Sequence, residues 1–185
     1  MVWRTVAAGI AFFLIGCATK PPTGWHTGAG AVLLAPRARW VLDGLLVDVM
    51  PDGTVLLNGE PQYAVDAAGR VYDAYNRPVA LLDKEGYVHG PDDRPLGWVG
   101  AFEAIPPGRS EPWLSLGGDG LLARQRPGST VTTSFGLWQG CRDARVSQTC
   151  VLLSHILGRD LEERRARARS RVGVGVGVGV GVPLR

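Results

Sequence analysis

Residues 49–90 read VMPDGTVLLNGEPQYAVDAAGRVYDAYNRPVALLDKEGYVHG, and their rhythm decides the fold. Three turn-like runs in it end on glycine, Pro51-Asp52-Gly53, Ala67-Ala68-Gly69 and Lys84-Glu85-Gly86, at spacings of 16 and 17 residues. A fourth run, Gly118-Asp119-Gly120, follows 34 residues later, twice 17, so a hidden unit centres on Glu103. The surroundings of each centre repeat as well. Four residues before it lies Val49, Val65, Leu82, Val99 or Leu116, and two after it Val55, Val71, Val88, Ile105 or Leu122. Seven to nine residues after it comes a proline preceded by a charge, at Glu60-Pro61, Arg77-Pro78, Arg94-Pro95, Glu111-Pro112 and Arg126-Pro127.

A glycine closing such a run supplies the positive φ that a tight hairpin needs, and the charge-Pro pair marks a second, polar reversal. Two reversals per unit imply two antiparallel strands per unit, hence about ten short strands in a meander. One strand pair cannot bury its own apolar face, whereas stacked units can. The predicted class is therefore mainly β, a hairpin-repeat meander of period near 17 closing as a barrel or folding as a sandwich. A β-solenoid is the alternative, ranked second because its coils need no hairpin glycine. Tyr63, Val65, Val79, Leu81, Trp98 and Leu114 are the core candidates. The charge-Pro turns should align along one edge, with Glu60 beside Arg77 and Arg94 beside Glu111. Exposed pairs of that kind contribute about 0–1 kcal/mol each. A functional reading of the same ladder is recognition of a repetitive polymer such as a glycan.

Outward from the repeats, AVLLAPRARWVLDGLLVDV (31–49) supplies one or two strands with Asp43-Gly44 as their turn, and TVTTSFGLW (130–138) a last strand. The composition agrees. Of 185 residues 45% are hydrophobic and 20% charged, and 26 Gly with 13 Pro exclude a long helical bundle. Charge is segregated. Residues 41–150 hold 14 acids against 9 bases, while 151–185 hold 7 Arg against 3 acids. A mildly acidic body is a poor nucleic-acid binder, so no nucleic-acid partner is expected.

The first residues, MVWRTVAAGIAFFLIGC, place Arg4 before an apolar run from Thr5 to Ile15 that is too short to span a bilayer as a helix. Leu14-Ile15-Gly16-Cys17 then resembles the lipobox of bacterial lipoproteins. That resemblance implies cleavage before Cys17 by signal peptidase II, acylation of the Cys17 thiol and amine, and anchorage in a membrane by two or three chains, which hold stably where one would not. Ala18, where a retention signal would carry Asp, implies sorting to the outer membrane. The rival reading is an ordinary secretory signal with a coincidental cysteine. The expected organisation is a signal peptide over 1–16, a lipidated tether over 17–30, the β-repeat domain over 31–140, a helical segment over 141–171 and a Val-Gly tail over 172–185.

With Cys17 lipidated, Cys141 and Cys150 remain as an even pair in an oxidising compartment, and a disulfide is expected. Val146, Cys150, Leu153 and Leu157 share one helical face, Gly158 is expected to end that helix, and Asp160 with Glu163 to open a second as a capping box. His155 is expected on the helix surface. The second segment, LEERRARARSR, reads as a solvated helix or as a cationic arm for lipid phosphates. Val alternating with Gly over 172–182 is low complexity, expected to be disordered.

The sequence contains no GxSxG, HExxH, Walker or EF-hand motif, and no cofactor or metal site is called for. His89 with Asp92 and Asp93 is the nearest acid–histidine group, and it falls in a turn. Two functional expectations follow. The first is a non-enzymatic envelope lipoprotein whose β-repeat body binds envelope components or glycan, or serves a structural role. The second is a cell-envelope hydrolase acting on glycan or peptide, with acids drawn from separate turns.

Overall fold

Asp43-Gly44 and Asn58-Gly59 both adopt positive φ at consecutive positions (38° and 83°, 50° and 89°). That backbone matches the right-handed twist of the strands it joins, so each pair makes a two-residue hairpin turn. Turns of this and related kinds link twelve consecutive antiparallel strands in the computed structural model, which describes residues 19–126 and 128–172. They are β1 (Ala38–Leu42), β2 (Leu45–Val49), β3 (Thr54–Leu57), β4 (Glu60–Val65), β5 (Arg70–Asp73) and β6 (Pro78–Leu82), then β7 (Tyr87–His89), β8 (Pro95–Val99), β9 (Glu103–Ile105), β10 (Leu114–Leu116), β11 (Leu121–Gln125) and β12 (Thr132–Gln139). Each pairs with its neighbours in the chain, and β12 returns to β1 with Trp138 opposite Trp40, so the sheet closes as a barrel. One helix, α1 (Ala144–Val172), follows.

The repeat glycines are needed for two reasons. Gly53, Gly69, Gly86 and Gly120 all have φ between 74° and 91°. Each also lies against the backbone of a strand further along the chain. Their carbonyls accept from the amides of Val65, Leu82, Val99 and Trp138 respectively. A Cβ at Gly53, Gly69 or Gly120 would strike the backbone carbonyl of Val65, Leu82 or Trp138, and one at Gly86 would strike the Trp98 ring. The hidden unit is present but centres on Phe102, not Glu103, since Leu116 N donates to Phe102 O. Its turn is closed by Gly100 N to Glu103 O, one residue tighter than Met50 N to Thr54 O. The shorter turn needs no positive φ, which explains the missing glycine.

Three of the charge-Pro motifs make bulges. Pairing shifts register between Leu56 and Val55 at Pro61, between Tyr72 and Val71 at Pro78, and between His89 and Val88 at Pro95. Proline has no N–H for the ladder, so one extra residue (Gln62, Val79 or Leu96) loops out beside it. The charges do not pair across units as expected. Arg77 instead binds Asp73 within its own hairpin, at 2.6 Å.

Twelve strands enclose more space than side chains alone fill. Part of the lumen-facing wall is built from small residues, with Val55, Val65, Val71, Ala80, Val88, Val99 and Ala104 among them, and α1 occupies the interior. From Thr149 to Leu157 every helical residue but Ile156 is buried, as for a helix enclosed on all sides. This corrects the helical reading. Gly158 does not end a helix, and Asp160 does not open another. A Cβ at Gly158 would sit 2.9 Å from Phe135 and 3.0 Å from Trp113, so glycine here makes room for two rings. Trp40, Trp113, Phe135 and Trp138 form the aromatic side of the lumen, with Trp40 and Trp138 stacked at 5.7 Å. Of the core candidates, Val65, Leu81 and Leu114 are buried, while Tyr63, Val79 and Trp98 are partly so.

The two ends of the barrel differ. At the end where β12 delivers the chain to α1, Cys141 and Cys150 are joined by a disulfide and both are buried. The segment expected as a free tether also packs there. Trp25 lies edge-on against Tyr72, 4.9 Å away, and the Arg70 guanidinium donates to Trp25 O. Ala31 N donates to Leu82 O, Leu33 N to Ala67 O, and Thr149 Oγ1 to Leu34 O. Leu33 is 1% exposed and joins the core. Its apolar residues carry this segment onto the wall and over the rim. No helix among the described residues is long and apolar enough to cross a membrane. Cys17, the leader and the Val-Gly stretch from 173 lie outside the described residues.

Candidate functional site

The other end of the barrel is a mouth. There α1 emerges past the turns β3–β4 and β7–β8, and two cavities open beside it. One, of about 250 Å³, is lined by Tyr63, Val79, Leu96 and Arg94 from the wall and by His155, Ile156, Arg159, Asp160 and Glu163 from the helix. The other, of about 420 Å³, shares Tyr63 and Asp160 and extends towards Leu57, Leu161 and Arg164.

His155 forms the floor. It is fully buried, contrary to the surface position expected. Gly97, facing the lumen opposite Val88, leaves the space its ring fills, and a Cβ there would come 3.1 Å from Nε2. Trp113 Nε1 donates to His155 Nδ1 at 2.8 Å, so the ring proton sits on Nε2, which lies 2.7 Å from Leu96 O and donates to it. Leu96 is the bulge residue after Pro95, and the interrupted ladder leaves its carbonyl turned inward. Burial drives the His155 pKa from 6.5 down to about 4; the Leu96 bond opposes this and the charge of Arg159 adds to it. The imidazole is therefore neutral near pH 7. Ser154 is treated similarly, accepting from Trp138 Nε1 at 2.8 Å and donating to Cys150 O at 2.7 Å. Polar helix residues inside the barrel thus have partners, as burial requires.

Above this floor the mouth is charged. The Arg159 guanidinium donates to Leu96 O, and burial lowers its pKa, with Glu163 opposing and Arg94 reinforcing the shift. The two lining carboxylates are engaged elsewhere on the helix. Asp160 binds Arg164 at 2.8 Å, and Glu163 binds Arg167 at 3.4 Å. Across the mouth Arg124 pairs with Glu162 and lies 4.9 Å from the Phe135 ring centroid. Burial raises the Tyr63 pKa, and the charge of Asp160 raises it further.

His89, Asp92 and Asp93 are hydrogen-bonded to partners outside their own trio. His89 Nε2 lies 2.9 Å from Asp83 Oδ2. Asp92 Oδ1 accepts from Lys20 N at 3.0 Å, and Asp93 accepts from both Thr23 N and Thr23 Oγ1, at 2.6 and 2.8 Å. These acids fix the N-terminal segment to the mouth rim. The Asp83 turn closes on itself, its Oδ1 accepting from the amides of Glu85 and Tyr87. Among the described residues no group of three His, Cys, Asp or Glu is placed to hold a metal ion.

The sequence reading missed the mouth because it depends on α1 threading the barrel. The available signal was the run Cys150–Leu157, apolar on more than one face beside a ring of small wall residues. Comparison with protein-family models, curated proteins and solved structures finds no match for this chain.

Proposed function

We propose that the protein is an envelope lipoprotein, acylated on Cys17 and most at home in the outer membrane, whose plugged barrel is a non-enzymatic structural or binding module. The observation that carries this reading is the fastening of the chain just after the lipobox. Three residues beyond Cys17, Lys20 is bonded to Asp92, and Thr23 is bonded twice to Asp93. A lipid on Cys17 would then hold a rigid body close to the bilayer, since three residues span roughly 10 Å. The buried Cys141–Cys150 disulfide accords with an oxidising compartment. The module's partners would be other envelope components or glycan.

The test compares the native protein with a Cys17→Ala variant by intact mass and membrane partitioning. The expected result is a mature chain starting at Cys17, heavier by its acyl groups, that leaves the membrane fraction when the cysteine is replaced. An unacylated soluble chain cut elsewhere would refute the proposal.

A further inference from the structure

We propose that the mouth cavity binds the phosphate of an anionic phospholipid headgroup through Arg94 and Arg159. The membrane-facing placement of the site rests on the lipoprotein reading; its anion chemistry does not.

The chain path puts the relevant groups at one end. Starting from β12, α1 enters at the disulfide end and leaves at the mouth. The N-terminal segment runs the opposite way, from Lys20 at the Asp92 turn to Leu33 at the disulfide end. The residue that would carry the lipid and the cavity therefore share an end, and Arg94 is two residues beyond Asp92. An anchor at Cys17 would turn this mouth towards headgroups.

The cavity lining is balanced in formal charge, Arg94 and Arg159 against Asp160 and Glu163, but its two cations have no bonded counter-ion among the described residues. Arg159 directs one Nη to Leu96 O, and Arg94 stands on the rim after the β7–β8 turn. The two carboxylates nearby are taken by Arg164 and Arg167 one helical turn on. Two guanidinium groups lining one empty space of about 250 Å³ suit a tetrahedral anion. A phosphate between them would relieve their repulsion and accept their free N–H groups. The apolar wall of Val79, Leu96 and Ile156 can cover the glycerol carbons of a headgroup.

The experiment uses the unlipidated chain from Ala18 onward, which retains every described element. It is mixed with vesicles of phosphatidylcholine alone or with about a third phosphatidylglycerol, and the sedimented fraction is measured. Binding to the anionic vesicles is expected, weakening with salt. Arg94→Gln and Arg159→Gln should each lower it about fivefold. Arg142→Gln, the same charge change at the opposite end, should lower it less than twofold. Arg94 is exposed, so Arg94→Gln reads the site even if the Arg159 variant folds poorly.

Equal loss in all three variants, or equal binding to both kinds of vesicle, would overturn the proposal. So would the absence of vesicle binding together with a Tm raised by inorganic phosphate only when Arg94 is present, since the anion would then be a soluble one. Because the chain tested bears no lipid, a failed acylation test leaves the anion site standing, and the reverse also holds.

Discussion

Lowering the pH from 7 to 5 should destabilise the protein through His155. In the folded chain the imidazole is enclosed between Trp113 Nε1, which donates to it, and Leu96 O, which accepts from it. A second ring proton would face the Trp113 donor, so the charged form is disfavoured by geometry as well as by burial. The folded pKa is about 4 against 6.5 when unfolded. Between these values the unfolded chain binds the extra proton and the folded chain does not, so stability falls as pH falls. The loss begins near pH 6.5, amounts to about 2 kcal/mol at pH 5, and levels off at roughly 3 kcal/mol below pH 4. Urea unfolding followed by tryptophan fluorescence, with the disulfide intact, gives ΔG at pH 7 and pH 5. His155→Gln provides the control. It should cost about 1–3 kcal/mol at pH 7, because the Trp113 donor loses its acceptor, and should remove most of the decline between the two pH values. Equal wild-type stability at both pH values, or an undiminished decline in His155→Gln, would refute the account.

Three further outcomes follow from the packing. Gly53→Ala should cost about 1–3 kcal/mol more than Gly44→Ala by chemical denaturation, since both have positive φ but only at Gly53 does the new Cβ meet a strand carbonyl. Gly158→Leu should lose about 1–3 kcal/mol by overpacking Phe135 and Trp113, whereas a glycine that merely ended a helix would tolerate the change. Replacing both Cys141 and Cys150 by Ser should lower ΔG by roughly 2–3 kcal/mol, with the loss concentrated at the end opposite the mouth and visible there as faster amide exchange.

The barrel was legible in the sequence because each repeat contains its own turn chemistry. Asp43-Gly44, Gly53, Gly69, Gly86 and Gly120 mark reversals through local backbone demands, and local demands can be read from local residues. The 17-residue period even pointed to the unit without glycine, missing its centre by one because the turn at Phe102 is a residue shorter. What was not legible depends on contacts distant in the chain. His155 reads as a surface residue until Trp113, 42 positions away, is placed against it. Gly158 reads as a stop signal until Phe135 is seen across from it. Residues 17–30 read as a tether because Gly, Pro and Thr conceal Trp25, whose partner Tyr72 lies on β5. Nothing in the spacing of Arg94 and Arg159 announces a shared cavity. The pair meets only because the helix passes through the ring.

Closing that ring makes the first strand wait for the last. β1 has no partner on its outer side until β12 arrives, and Trp40 finds the carbonyl of Phe135 95 residues later. The interior stays hollow until the helix, which follows β12 in the chain, has entered it. A nascent or truncated chain ending before Trp138 would present a curled sheet with two raw edges and a greasy concave face, a form that proteases and chaperones recognise. The architecture thus acts as a check on synthesis: only a chain made through β12 and the buried turns of α1 can hide its inner surface.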